Sequence, residues 1–239
     1  MSWMDSRTQE PELLDGDSVS WQERLEAMDQ LPLVNRFLGG ARAVLKDLAP
    51  IVAESAPDRC LCLLDVGCGS ADIPESIVCW AERAGRPIHV VALDRDPASI
   101  ELAARRVAQT QCKLKLVRGT ALCLPLADRA VDVVTASMFC HHFFGDELVA
   151  LVRELTRVAR TAVIINDLHR HPAAYWGFRL ASRIFLRGHV VRHDGEVSVR
   201  RGFVPHELRA LADQFPDFRW TVRRRFAFRL CMVGRRENQ

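Results

Sequence analysis

The chain is 239 residues long, 49% apolar and 26% charged, with a formal net charge of +3, a make-up that suits one soluble globular α/β domain with a sizeable core. No stretch reaches the roughly 18–20 apolar residues that cross a bilayer, and residues 1–17 hold no apolar signal core, so a cytoplasmic protein is expected. The eight cysteines lack CxxC pairs and zinc-type His/Cys spacing, so reduced, mostly buried thiols and no metal site are expected. Charge is unevenly spread. Residues 1–58 carry eleven Asp/Glu against five Lys/Arg, whereas residues 150–239 carry eighteen Arg against eight Asp/Glu. Solvated faces of opposite sign and a site for a polyanion both fit that asymmetry.

Residues 1–17 are polar, acidic and turn-rich, and read as a loosely held tail. From Ser20 onward, Leu25, Met28, Leu31, Val34, Phe37 and Leu38 recur at helical spacing. Pro32 divides them into two short helices that end at Gly39-Gly40, and a third helix, 41–49, closes before Pro50. Strand–helix alternation then begins, which argues a parallel sheet. Strands are expected at 60–66, 88–93, 114–117, 131–136 and 162–165. Helices are expected at 73–84, with Asp72 as its N-cap, at 97–108 after Asp96, and at 146–158. Beyond Pro172 a helical stretch places Arg179, Arg183 and Arg187 on one face. Arg192–Gly195 reads as a turn, Pro205 opens a last helix to 214, and 219–226 with 228–233 reads as a closing hairpin-like pair.

The organising stretch is Leu63–Pro74. An apolar run ends in Asp65 and Val66, turns through Gly67-Cys68-Gly69, and enters a helix. Glycines there permit positive φ and let a ligand approach the backbone. The third glycine of a dinucleotide fingerprint is replaced by Asp72, which would repel a pyrophosphate, so a cationic, phosphate-free cofactor is expected in place of NAD(P).

LLDVGCGSADIP resembles motif I of the class I S-adenosylmethionine-dependent methyltransferases. The resemblance continues through VVALDRDP, RGTALCLPLADRAVDVV, SMFCHHF and VIINDLHRHP, over roughly residues 30 to 239. LVNRFLGGARAVL and VRHDGEVSVRRGFVPHEL are similar to bacterial members acting on small phenolic, quinone-like or polyketide-derived products. The resemblance implies an α/β, Rossmann-like fold: a mostly parallel seven-stranded sheet with a final antiparallel strand. It also implies a tail and cap helices over 1–58, a methyltransferase domain over 59–239, and a substrate-covering insertion at about 168–204. S-adenosyl-L-methionine is the implied methyl donor and S-adenosyl-L-homocysteine the product.

On that resemblance Asp65 meets the cofactor's ammonium, and the Gly67-Cys68-Gly69 backbone lies against it. Asp94 takes the ribose hydroxyls and Arg95 covers the adenine. Thr120, Ala121 and Leu122 read the adenine, Thr120 standing where the family often has Asp, and Ser137 lines the methionine part. A hydroxyl acceptor must lose a proton, a task that suits histidine near neutral pH. His142 is the first candidate base, with His141 and His169 behind it. His171, Tyr175, Trp176 and Arg192 are expected to line the acceptor, which is small and largely apolar and methylated on oxygen or carbon. A nucleic-acid methyltransferase is the alternative from another class, suggested by the Arg-rich half, but the Asn/Asp-Pro-Pro-aromatic motif of base methylation is absent. A non-catalytic partner subunit is a further one. The expected partner is the small acceptor. Peripheral contact with a membrane stays open, as does the choice between monomer and homodimer.

Overall fold

The computed structural model describes residues 3–16 and 18–237, apart from the side chains of residues 36 and 37. Seven strands form one sheet: β1 (Leu61–Val66), β2 (Ile88–Asp94), β3 (Leu114–Arg118), β4 (Val131–Ser137), β5 (Ala159–Leu168), β6 (Phe218–Arg225) and β7 (Arg229–Arg236). Their order is β3-β2-β1-β4-β5-β7-β6. The first five pair in parallel, and β7 runs antiparallel to both β5 and β6. A tight turn at 226–228, with Ala227 and Phe228 at φ +56° and +54°, joins β6 to β7 and admits only antiparallel pairing.

The helices are α1 (Trp21–Asp29), α2 (Leu31–Phe37), α3 (Gly40–Ala53), α4 (Asp72–Arg83), α5 (Pro97–Thr110), α6 (Gly145–Val158), α7 (Pro172–Phe185), α8 (His189–Arg201) and α9 (Pro205–Ala212). Every residue of β4 is buried, as a strand covered on both faces must be. Leu151, Leu155 and Leu208 from α6 and α9 fill one face, and Leu48, Ile51 and Ile77 from α3 and α4 fill the other. Each such side chain contributes about 1.5–3 kcal/mol by leaving water. The chain winds outward from β1 through β2 to β3, then returns to β4 on the opposite side. The crevice above the carboxyl ends of β1 and β4 is therefore the topological switch point where α/β sheets bind ligands.

Several local expectations are corrected. The helix expected to close before Pro50 runs on to Ala53; burial of Ile51 and Val52 offsets the one lost helical hydrogen bond. Asp72 is the first residue of α4, not its cap: Ala71 caps it at φ +61°, and the Asp72 carboxylate accepts from Asn35 Nδ2 at 3.1 Å. Arg192–Gly195 lies inside α8, where a Cβ on Gly195 would fall 2.0 Å from the Phe178 ring. Helix α7 ends at Phe185 with Leu186 extended, so Arg187 leaves the face shared by Arg179 and Arg183. Strand β5 is longer than 162–165, because pairing with β7 continues to Leu168. Only Cys68, Cys140 and Cys231 are buried, while Cys60, Cys79 and Cys123 are exposed.

The largest correction is the tail. Residues 3–16 form a strap against α8 and the β4–α6 loop. Met4 and Glu12 are buried. Arg7 donates to the carbonyls of Arg201 (2.7 Å) and His141 (2.8 Å), and Thr8 N–H donates to Arg200 O at 3.2 Å. Asp194 accepts the N–H groups of Leu13 and Leu14 at 2.8 and 2.9 Å.

Candidate active site

Three carboxylates converge where β1 and β2 end and α4 begins. Asp65 is 1% exposed, and its carboxylate accepts from the Thr135 hydroxyl. Burial, then repulsion from Asp72 and Asp94, pushes its carboxyl up to about 7. Burial also raises Asp72 and Asp94. Among the described residues no Lys or Arg lies within ion-pair distance of these three. Such a group favours a cation beside it and disfavours a pyrophosphate.

Asp94 also organises the loop, its two oxygens accepting the N–H of Gly69 (2.8 Å) and of Asp96 (2.9 Å). Gly67 and Gly69 both take positive φ. At Gly69 a Cβ would meet nothing, so the backbone there is open to a ligand; at Gly67 it would fall 2.2 Å from the Phe139 ring. The glycine expected to admit a ligand thus admits Phe139. Cys68 is buried, its N–H donating to Leu93 O at 3.0 Å.

Beyond this loop lies a small cavity lined by Gly67, Asp94, Arg95, Thr120, Ala121 and Leu122, together with Leu93, Gly119, Phe139, Phe143 and Glu147. Its lining is mixed, with Leu93, Ala121, Leu122, Phe139 and Phe143 beside the charged Asp94, Arg95 and Glu147. The Thr120 hydroxyl accepts from Leu122 N–H at 3.3 Å and so shapes the turn. Ser137 is buried with its Oγ unpartnered.

The two adjacent histidines follow β4 on a short 3-10 turn, Cys140–His142, and separate in role. His141 is 1% exposed. Its Nδ1 lies 2.7 Å from Asp167 and its Nε2 3.5 Å from Glu12. Burial opposes its charge, but Asp167 and Glu12 outweigh burial and hold its pKa up to about 9. His142 is a quarter exposed, with Nδ1 3.2 Å from Asp15 and 3.3 Å from Arg201, and Nε2 4.0 Å from Glu12. Glu12, His141 and His142 bring one donor atom each within 4.8 Å of one another, a grouping of metal-ligand types. Sequence spacing gave no hint of it, because Glu12 is remote in the chain. Glu12, Asp15 and Asp167 face Arg7, Arg201 and a protonated His141 there.

His169 is half-buried beyond β5. Burial, Arg224 and His171 lower its pKa, so it is neutral at pH 7. His171 caps α7 by accepting Ala173 N–H at 3.1 Å, and its ring stacks on Phe228. The Tyr175 hydroxyl donates to Glu196 at 2.7 Å, its ring against Trp3. Trp176 is exposed on α7, and Arg192 donates to Leu186 O at the end of that helix. The predicted substrate residues therefore surround the α7–α8 lobe, whereas the predicted cofactor residues gather at the switch point. Sequence reading missed Phe139, Phe143, Glu147, Asn35 and Arg229. Only Phe139 and Phe143 carried a signal, their adjacency to the two histidines.

The sheet order and the crevice at its switch point are those of the Rossmann-like fold shared by S-adenosylmethionine-dependent methyltransferases of known structure. Residues 63–162 match the family described as a methyltransferase domain. Demethylmenaquinone methyltransferase of Bacillus velezensis is 26% identical over 125 residues, covering 52% of this chain and 52% of the relative. An S-adenosylmethionine-dependent methyltransferase of Aquifex aeolicus aligns with a TM-score of 0.63 at 16% identity, over 89% of this chain and 98% of that one. Magnesium protoporphyrin IX methyltransferase of Synechocystis PCC 6803, solved with bound S-adenosylhomocysteine, aligns at 0.58 and 14% identity over 94% of this chain and 91% of that one. The chain spans 38–53% of the length of the curated relatives it matches.

Proposed function

We propose that the protein transfers a methyl group from S-adenosylmethionine to an oxygen or carbon of a small, largely apolar acceptor. The observation that carries this reading is the buried trio Asp65, Asp72 and Asp94 at the switch point, with no Lys or Arg in ion-pair contact among the described residues and suited to a cationic ligand. The residues present fit the cofactor: Asp65 and Asp72 for the ammonium, Asp94 for the ribose, and the cavity at Thr120–Leu122 for the adenine. The bound cofactor supplies an electrophilic methyl carbon, and the protein aligns the acceptor and excludes water.

His142 suits the base best. It is accessible, and Asp15 at 3.2 Å holds its ring as a carboxylate orients a catalytic imidazole. His141, sealed and charged, instead positions the loop. Relatives named for demethylmenaquinone and magnesium protoporphyrin IX support a small-molecule acceptor. An apolar acceptor accords with α7, where Trp176, Leu180, Ile184 and Phe185 are each more than half exposed. Part of the charge asymmetry cancels within the fold, where arginines of the C-terminal half pair with acids of the N-terminal part: Arg200 with Glu10, Arg201 with Asp15, Arg225 with Asp47 and Arg235 with Glu54.

The test is methyl transfer from labelled S-adenosylmethionine to a panel of phenols and quinols. With a hydroxyl acceptor, His142→Ala should slow transfer by about 10²–10⁴-fold while cofactor affinity holds. An unchanged rate in the folded variant removes His142 as the base. Absence of calorimetric S-adenosylhomocysteine binding removes the cofactor.

A further inference from the structure

Three arginines are buried in the described structure, and two have acids in contact. Arg170 meets Glu207 at 2.7 Å and Arg201 meets Asp15 at 2.8 Å. Arg229, at the start of β7, is 0% exposed and has no carboxylate within ion-pair distance among the described residues. Its Nε donates to Leu38 O at 2.9 Å and its Nη2 to Asn35 Oδ1 at 3.2 Å, while its Nη1 has no partner. Asp167 and Asp72 favour its charge from beyond that distance, but burial outweighs them; a buried guanidinium without a contacting anion is costly, and native structures rarely keep one without a reason.

The sheet register shows what surrounds it. Ser137 pairs with Asn166, and Asn166 with Cys231, so these three side chains share one face of the sheet. Arg229, two residues before Cys231, joins that face, as does Asp65 through its register partner Thr135, two residues before Ser137. Ser137 Oγ and Asn166 Nδ2 are likewise buried without partners. The carboxyl edge of this face therefore holds three unsatisfied donors beside the acids Asp65 and Asp72. Asn35 fixes the spacing between the two poles, since its one amide accepts from Arg229 and donates to Asp72 at 3.1 Å. A cationic pole and an anionic pole linked by a single amide match an α-amino acid, whose ammonium and carboxylate sit on the same carbon.

We propose that Arg229, assisted by Asn166 and Ser137, receives the carboxylate of the methionine part of the cofactor, opposite the acids that take its ammonium. The proposal rests on the cofactor assignment above. It adds a residue from the last strand, at the opposite end of the chain from the glycine loop.

The test is calorimetric titration of the full chain with S-adenosylhomocysteine and with its decarboxylated counterpart, which lacks only the carboxylate. Wild type should prefer the former by about tenfold or more, as for a hydrogen bond to a charged group. Arg229→Met should bind the two alike, losing affinity for S-adenosylhomocysteine only. Equal weakening toward both ligands would mark Arg229 as merely structural and overturn the proposal, as would a preference that persists. If circular dichroism shows Arg229→Met unfolded, Arg229→Lys, which keeps the charge without the fork, should cut the preference at least about threefold; an undiminished preference there overturns the proposal too. Wild type binding both ligands equally defeats this proposal alone. Wild type binding neither defeats the cofactor assignment and this proposal with it.

Discussion

Asp65→Asn is expected to make the protein more stable and less able to hold its cofactor. Asp65 is enclosed on β1, and the Thr135 hydroxyl is its hydrogen-bond donor. Burial, with Asp72 and Asp94 adding repulsion, lifts its carboxyl from an ordinary 3.8 to about 7 against the pull of that bond. A rise of about three units, at about 1.36 kcal/mol each, subtracts about 4 kcal/mol from stability at pH 8. Because the folded pKa lies above the unfolded one, the folded state holds the proton more tightly. Stability is therefore fullest below about pH 4 and falls as pH rises through about 7. Asparagine keeps the shape and still accepts from Thr135, but its amide N–H₂ needs partners, a cost of about 1–3 kcal/mol. The net gain at pH 8 is then about 1–3 kcal/mol, and it vanishes or reverses near pH 4. Removing the charge opposite the ammonium should weaken S-adenosylhomocysteine by roughly 10–100-fold. Urea denaturation at both pH values and calorimetry at pH 8 read the two effects. A variant less stable at pH 8, or one with unchanged affinity, would refute the reasoning, because a carboxylate kept for structure gives the opposite sign.

His141 titrates in the contrary sense to a depressed acid. With its folded pKa at about 9, above the ordinary 6.5, its contribution of about 3 kcal/mol is full below about pH 6.5 and is lost as pH rises through about 9. Glu12→Gln should shrink that loss and open residues 3–16 to limited proteolysis; a flat stability profile over this window would remove the cation. Asp94→Ala deprives the Gly69 and Asp96 N–H groups of their acceptor, and should lower stability by about 1–3 kcal/mol and cofactor affinity at least about tenfold. Unchanged affinity in a folded Asp94→Ala would take Asp94 out of the site.

The sequence by itself determined the strands of the parallel sheet and the local build of the glycine loop. Strand periodicity, the Asp65–Gly69 turn and the acid closing β2 are local signals, carried within about 35 residues of one another, and backbone geometry leaves little freedom in where such a unit binds. Boundaries drifted where tertiary contact overrode local preference, as at Pro50 and in Arg192–Gly195, whose turn-like residues are helical because Gly195 lets Phe178 pack. The surroundings of the two adjacent histidines were decided only by tertiary structure. The difference between His141 and His142 depends on Asp167 and on Glu12 and Asp15, which lie far off in the chain. The acidic start and the Arg-rich end, ambiguous as composition, proved to be partners once folding brought residues 3–16 across α8. Arg229 showed nothing in sequence that set it apart from the other arginines near the end of the chain. Burial without a contacting carboxylate among the described residues distinguishes it, and burial is a property of the assembled sheet.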